Sequence, residues 1–213
     1  LQLVVGMIIA LLLNMEIRGR NLLRALFVLP WTIPSVVVAL LWTWMFQPQY
    51  GVLNYLLTQV GILDGPQQWT QHPQLAMVSI VIAAAWRQIP MMIVMLLAGL
   101  QSIPSDLIEA AQIDGAGALQ LFRRITVPLL APVISTTVLI AIINNFQMFT
   151  IIFNMTNGGP LSKTTTLSIA TYVKAFTQFD MGSGAAIGVL WLTALAFFTI
   201  SYHKYFERSG AIS

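Results

Sequence analysis

Long apolar runs separated by short polar segments dominate the chain. Residues 1–15 are apolar but would extend only about 22 Å at the helical rise. We interpret them as the end of a truncated span rather than a signal peptide, because no basic segment precedes them. Four further runs reach the roughly 20 residues that a helix needs to cross a hydrocarbon core about 30 Å thick. The pattern therefore predicts four complete transmembrane helices, at about residues 25–46, 75–100, 129–153 and 184–202.

Composition favours a membrane over water as the solvent of this chain. Hydrophobic residues make up 57% of it and charged residues 8%, whereas a soluble protein has about 25% charged residues. The net charge of +3 is small and scattered, which argues against nucleic-acid binding. The absence of cysteine excludes thiol catalysis and Cys-ligated metal sites. His72 and His203 are far apart in the sequence, so no metal site is expected.

The basic residues predict the orientation of the helices, since short cytoplasmic loops carry an excess of Lys and Arg. With residues 16–24 inside the cell, the outer side holds only Lys163 and Lys174. The inner side then holds Arg18, Arg20, Arg24, Arg123, Arg124, Lys204 and Arg208. Loops 47–74 and 154–182 face outward in this arrangement, and their Gly, Pro and Asn content is typical of turns.

Three prolines fall inside the predicted spans: Pro30, Pro34 and Pro90. Proline removes a backbone donor and clashes with the preceding turn of a helix. Because freed carbonyls in lipid need partners, such interruptions are tolerated where they face protein or a water-filled cavity. We expect helix breaks at these positions, which either line a pathway or are ordinary packing kinks.

The long inward loop, residues 101–128, predicts two short helices at an angle. Ser105 can cap a helix that begins at Asp106, and the Gly-rich stretch 114–117 ends it. A second helix is predicted from Ala118 to about Thr126, stopped before Pro128. Apolar residues at helical spacing on such a projection need a partner surface. The alternative is an amphipathic helix that lies on the lipid surface.

The chain contains no G-x-x-x-x-G-K-[ST] phosphate loop, so energy for any ATP-driven process must come from a partner. An ion-coupled transporter would need a carboxylate at membrane depth, but all seven acidic residues lie in loops or at span ends. A membrane hydrolase would need a base beside its nucleophile. Ser35, Ser79 and Ser135 have no such residue near them in their spans.

Polar residues inside the spans are candidate binding residues. Asn144 and Asn145 lie in an apolar run, and because an unpaired amide in lipid costs several kcal/mol, we expect them to face the interior. Arg87 lies between two apolar runs about one turn before Pro90. It is interpreted as a donor to substrate, as half of an ion pair with a partner subunit, or as a side chain that snorkels to the outer surface.

The inward loop resembles the EAA loop of ATP-binding-cassette importer permeases. The resemblance is carried by Glu109-Ala110-Ala111, by Asp114-Gly115 and by Ile125-Thr126-Val127-Pro128, in which Val127 replaces the usual Leu. Other stretches are similar to the carbohydrate-uptake branch, of the maltose and glycerol-3-phosphate type. They are LPWTIPS (29–35), YGVLN (50–54), AGLQSIPSDLIEAAQIDGAG (98–117), TNGGP (156–160) and GAAIGVL (184–190).

The resemblance implies an all-α polytopic bundle with a MetI-like permease core, forming one domain over residues 1–213. It implies that residues 101–128 couple transport to ATPase subunits, through Glu109, Ala110, Ala111, Asp114 and Gly115. It also implies partners: a second permease, two ATP-binding subunits that hold ATP and Mg, and an extracytoplasmic substrate-binding protein. The protein would lie in a bacterial or archaeal cytoplasmic membrane and would itself need no cofactor.

The resemblance further implies a sugar site near mid-membrane, in stretches where the family varies. The residues assigned to it are Trp31, Ser35, Arg87, Gln88, Met91, Asn144, Asn145 and Met148. Met91 and Met148 replace polar or aromatic residues of the maltose permease, so the resemblance implies a di- or oligosaccharide without identifying it. A glycerol-3-phosphate-type solute is the alternative, since an anion would use Arg87.

Overall fold

The computed structural model describes residues 1–15 and 17–208, and the described residues are helices joined by turns and loops without a β-strand. The all-α prediction is therefore confirmed. The helices are α1 (Gln2–Asn14), α2 (Arg20–Thr32), α3 (Ser35–Met45), α4 (Val52–Gln59), α5 (Ala76–Gln101), α6 (Ser105–Ile113), α7 (Ala118–Leu121), α8 (Val127–Phe146), α9 (Thr150–Thr156), α10 (Leu167–Tyr172) and α11 (Met181–Arg208). Five-residue π-helical turns follow α7 (Phe122–Thr126) and α10 (Val173–Thr177).

Three continuous helices within residues 1–15 and 17–208 are long and apolar enough to cross a membrane: Ala76–Gln101, Ala118–Phe146 and Met181–Phe206. The predicted spans at 75–100 and 184–202 are confirmed by the first and the last of these. Helices α2 and α3 make a fourth span if the two are counted together. The apolar helix α1 has 13 residues.

Two of the four predicted spans are broken. The predicted span at 25–46 is divided by Ile33 and Pro34 between α2 and α3, because a residue before proline disfavours the helical region and Pro34 caps the following helix. The single span predicted at 129–153 is wrong, since α8 ends at Phe146 and α9 begins at Thr150. No proline or glycine marks this second break in the sequence.

Pro30 and Pro90 lie inside continuous helices, so the breaks expected at these two positions are absent and that expectation was wrong. Proline can bend a helix without ending it when the surrounding packing keeps the neighbouring turns in place. Pro90 is buried, which places it inside packed protein.

The inward loop differs from the prediction at both ends. Pro104, not Ser105, is the capping residue, and Ser105 is the first residue of α6. Pro128 does not stop the second helix, which continues from α7 through the π turn into α8. There the Val127 N–H bonds to the carbonyl of Phe122, five residues back. This wider turn departs from the α-helical ladder and lets the chain pass Pro128.

Contacts divide the chain into two compact units. The first contains Leu1–Thr32, Gln88–Asn144 and the residues from Phe198 onward. Its core joins α1, α5 and α8, through side chains that include Ala10, Leu13, Ile93, Leu96 and Leu130. The prediction of one permease domain over residues 1–213 stays a prediction, and Glu16 and residues 209–213 lie outside the described residues.

The second unit contains Ile33–Arg87 and Asn145–Phe197. Its core is built on the two short helices that follow the breaks, since α3 contributes Val38, Ala39 and Trp42, and α9 contributes Ile151, Ile152 and Met155. Trp42 packs edge-on against Trp86 of α5, with ring centroids 5.9 Å apart. The breaks therefore free α3 and α9 to pack on each other.

Asn54 ties together the loop predicted to face outward. This side chain is 4% exposed, and its Nδ2 donates to the carbonyls of Gln47 and Gln67, both at 3.1 Å. Its Oδ1 accepts the Gln67 N–H at 3.0 Å and the Trp69 indole N–H at 2.9 Å. Both donors and both acceptor positions of the carboxamide are thus used.

Replacing Asn54 with Ala should loosen residues 47–69, because the indole N–H of half-buried Trp69 and the backbone groups of Gln47 and Gln67 lose their partner, at a cost of about 1–3 kcal/mol. The purified protein should lose thermal stability and become sensitive to protease within this loop. Gln59→Ala, at an exposed position of the same helix, is the control and should change neither property. Equal stability of both variants would contradict the role of Asn54.

Candidate functional site

Helix α6, in the loop predicted to face inward, ends in a turn that depends on Gly115. The Ala116 N–H bonds to the Ala111 carbonyl at 2.9 Å, and the Gly115 N–H bonds to the Gln112 carbonyl at 3.0 Å. This pair of bonds is the Schellman motif, which needs a left-handed residue after the helix. Gly115 has φ +81°, a conformation that glycine adopts without steric cost.

The surface of this loop combines acidic and apolar side chains. Glu109, Ala110, Asp114 and Gly115 are exposed, and Ala111 is half-buried. Asp106 lies in the first turn of α6, where its charge favours the positive end of the helix. Leu107, Ile113 and Leu119 are 46%, 86% and 64% exposed. An apolar surface of this kind on a polar loop indicates a docking surface for another molecule.

Four of the residues assigned to a sugar site belong to the first unit: Trp31, Gln88, Met91 and Asn144. The structure brings two of them together, since the Asn144 Nδ2 lies 3.8 Å from the Met91 sulfur. Trp31 is 46% exposed, Gln88 and Met91 are half-buried, and Asn144 is exposed. Amide, thioether and indole groups are therefore available on this unit.

The other four belong to the second unit: Ser35, Arg87, Asn145 and Met148. Ser35, Arg87 and Met148 are half-buried, and Asn145 is exposed. The Arg87 Nε donates to the carbonyl of Ile33, with a distance of 3.4 Å. None of the three readings of Arg87 from the sequence included this partner.

A group of hydroxyls that sequence reasoning missed organises the second loop predicted to face outward. The Thr164 Oγ1 donates to the Gly159 carbonyl at 2.7 Å, and the Thr165 Oγ1 donates to the Gly158 carbonyl at 3.0 Å. The expected turn at 157–160 is present, with Asn157 and Gly158 at φ 51° and φ 84°. The consecutive threonines 164–166 after TNGGP were the signal that could have revealed these bonds.

Asp180 begins the last helix and lies outside the spans. Its Oδ1 accepts the Ser183 backbone N–H at 3.0 Å. Hydrogen bonds from the Ser183 side chain and then from its backbone N–H lower the pKa of the Asp180 carboxyl below its ordinary value. The carboxylate therefore stays ionised at neutral pH and stabilises the helix start.

The chain is similar to permeases over nearly all of its length. It is 39% identical over 204 residues to the trehalose/maltose transport system permease protein MalF of Thermococcus litoralis, covering 96% of this chain and 68% of that protein. It is 34% identical over 209 residues to the sn-glycerol-3-phosphate transport system permease protein UgpA of Yersinia pestis, covering 97% and 69%. The chain thus spans about two thirds of the length of these relatives.

Its fold matches that of a solved bacterial alginate ABC transporter, in complex with an alginate pentasaccharide-bound periplasmic protein. The TM-score is 0.87 over 98% of this chain and 73% of the other, at 23% identity, a likeness of fold alone. The family model that describes a binding-protein-dependent transport system inner membrane component matches residues 2–209. The chain therefore belongs to the family of inner membrane components of binding-protein-dependent transport systems.

Proposed function

We propose that this chain is a permease subunit of an ATP-binding-cassette importer. It forms the translocation path for a neutral di- or oligosaccharide, and partner subunits hydrolyse the ATP. The observation that carries the proposal is the exposed, sharply terminated helix α6 between two spans. A chain that lacks a phosphate loop but presents such a helix needs a separate ATPase. The relatives named for trehalose, maltose and glycerol-3-phosphate transport support this class of protein.

The proposed orientation places residues 101–128 in the cytoplasm, where the ATPase subunits would bind Glu109, Ala110, Ala111, Asp114 and Gly115. It is supported by the excess of Lys and Arg on that side. Loops 47–74 and 154–182 would meet an extracytoplasmic substrate-binding protein, and a second permease would complete the path. Closure of the ATPase dimer would move α6 and switch the cavity between its inward-facing and outward-facing states.

The proposed sugar contacts are Trp31, Ser35, Gln88, Met91, Asn144, Asn145 and Met148, and Arg87 is the eighth residue assigned to the site. Carboxamides and hydroxyls suit sugar hydroxyls because each type of group can both donate and accept. A glycerol-phosphate-like anion is the second candidate, favoured by Arg87 and by the relative that carries glycerol-3-phosphate in its name. The neutral sugar is preferred because Arg87 already donates to a backbone carbonyl.

Replacing Gly115 with Leu should uncouple transport, since a side chain at φ +81° costs on the order of 1–2 kcal/mol and disrupts the end of α6. The reconstituted importer should lose most of the ATPase stimulation by sugar-loaded binding protein, while the binding protein still binds sugar. Gly117→Leu is the matched control. Both glycines have open space around them, but Gly117 has an ordinary φ of −70°.

Equal stimulation in both glycine variants and in Ala110→Trp would sink the coupling role of α6. It would restore the interpretation of this loop as a helix on the lipid surface.

Asn145→Ala should lower sugar uptake by an amount that corresponds to about 0.5–1.5 kcal/mol for one neutral hydrogen bond, without preventing assembly. Uptake of several sugars is measured per assembled complex. Asn154→Ala is the control, because the Asn154 Nδ2 donates to the Thr150 carbonyl of its own helix at 2.8 Å. A fall in thermal stability or subunit yield with unchanged uptake would mean that Asn145 only joins helices.

A further inference from the structure

The second unit contains both helix breaks, the one before α3 and the one before α9. At each break a backbone carbonyl lies outside the hydrogen-bonding pattern of a helix. The carbonyls are those of Ile33, before α3, and Met148, before α9. In lipid such carbonyls need donors, because water is not available to solvate them. Each of these two accepts a hydrogen bond from a side chain on a third element.

Arg87 supplies the donor at the first break. Its Nε lies 3.4 Å from the Ile33 oxygen across 54 residues of sequence. The Ile33 side chain packs against the same core cluster as Trp86, the neighbour of Arg87 in α5. The charge of a guanidinium strengthens such a bond, so Arg87 links the residue that precedes Pro34 and α3 to α5.

Ser168 supplies the donor at the second break. Its side chain is 6% exposed, and its Oγ donates to the Met148 carbonyl at 3.1 Å. The Thr166 and Ser168 hydroxyls are 2.9 Å apart. Because the one hydroxyl proton of Ser168 is used on Met148, Thr166 must be the donor between them. The result is a directed chain of bonds from Thr166 through Ser168 to the break.

Both of these hydrogen bonds act on helices that share one core. Helices α3 and α9 share the core formed by Val38, Ala39 and Trp42 with Ile151, Ile152 and Met155. Ser35 is the first residue of α3, and Met148 lies two residues before α9. Whatever fixes the two breaks therefore fixes the backbone that carries these two proposed sugar contacts.

We propose that Arg87 and Ser168 are positioning residues for transport. Their side chains hold the carbonyls of Ile33 and Met148, and so set where Ser35 and Met148 stand in the sugar path. The proposal rests on the proposed function as a sugar permease. Sugar discrimination would then depend on the side chains of Arg87 and Ser168. Ser168 is not among the residues assigned to the sugar site and would act without touching the sugar.

The test compares Ser168→Ala with Ser168→Thr in the reconstituted importer complex, using radiolabelled maltose and trehalose. Ser168→Ala should lower maximal uptake per assembled complex about tenfold and change the ratio of maltose to trehalose transported. Ser168→Thr keeps the hydroxyl and should restore both. Thr193→Ala is the control, because the Thr193 Oγ1 bonds within its own helix to the Val189 carbonyl at 2.8 Å and lies outside the loops proposed to meet the binding protein.

Arg87 is tested in the same way with Arg87→Met, which removes the donor, and Arg87→Lys, which retains one. Arg87→Met should alter the sugar ratio, and Arg87→Lys should recover part of it. A direct contact with an anionic solute would give a different result: Arg87→Met would abolish uptake of glycerol phosphate and leave the ratio of the two neutral sugars unchanged. That result would overturn the positioning role of Arg87.

An unchanged sugar ratio and rate in Ser168→Ala would overturn the proposal. If the complex fails to assemble in both the Ser168→Ala and the Arg87→Met variant, the proposal is overturned as well, because the two hydrogen bonds would then serve folding alone. Wild-type complex that transports neither sugar would contradict the proposed substrate class instead. In that case the positioning role is decided by ATPase stimulation with binding protein, which Ser168→Ala should reduce and Thr193→Ala should not.

Discussion

The structure depends on one constraint: in a hydrocarbon environment every backbone N–H and C=O needs a partner within the protein. A continuous helix without proline, such as α11, satisfies it along its interior. The two broken spans do not, and they are accompanied by side-chain donors, Arg87 at Ile33 and Ser168 at Met148. Side-chain hydroxyls also serve backbone carbonyls in the loop predicted to face outward, where Thr164 and Thr165 donate to Gly159 and Gly158.

The two breaks produce the short helices α3 and α9. In the second unit, α3 and α9 are short enough to pack against each other around Trp42 and Met155. Ser35 begins α3 and Met148 lies two residues before α9, and both are among the residues that we assign to the sugar path. Irregular backbone is costly in a membrane and is kept where it lines a cavity or is buried in protein. The breaks are therefore compatible with the sugar path that we propose, and the start of each short helix is held by a side-chain donor.

The sequence predicted most of the helices because their signal is strong. A charge-free apolar run of about 20 residues has few other interpretations, and the left-handed turn after α6 was visible as Asp114-Gly115. The break at 147–149 could not be predicted, because no proline or glycine marks it and α9 is stabilised by distant contacts with α3. Pro128 was misread for a similar reason, since the π turn before it is not visible in the sequence.

The types of residue that make up the candidate site could be predicted from the sequence, but the contacts that these residues make could not. Asn144, Asn145 and Arg87 were singled out because polar groups are rare within apolar runs. The partner of Arg87 and the roles of Ser168 and Asn54 depend on contacts between residues 7 to 54 positions apart, which composition does not reveal. The roles assigned to the sugar and coupling residues remain proposals.

The most direct measurement of the central claim is photocrosslinking from α6 in the assembled importer. A photoreactive amino acid replaces Ile113, which is 86% exposed, and in a second variant it replaces Ile62, which is 68% exposed on a loop predicted to face outward. The account predicts an adduct with the ATPase subunit from position 113 and none from position 62. An ATPase adduct from position 62 alone, or only lipid adducts from position 113, would contradict it.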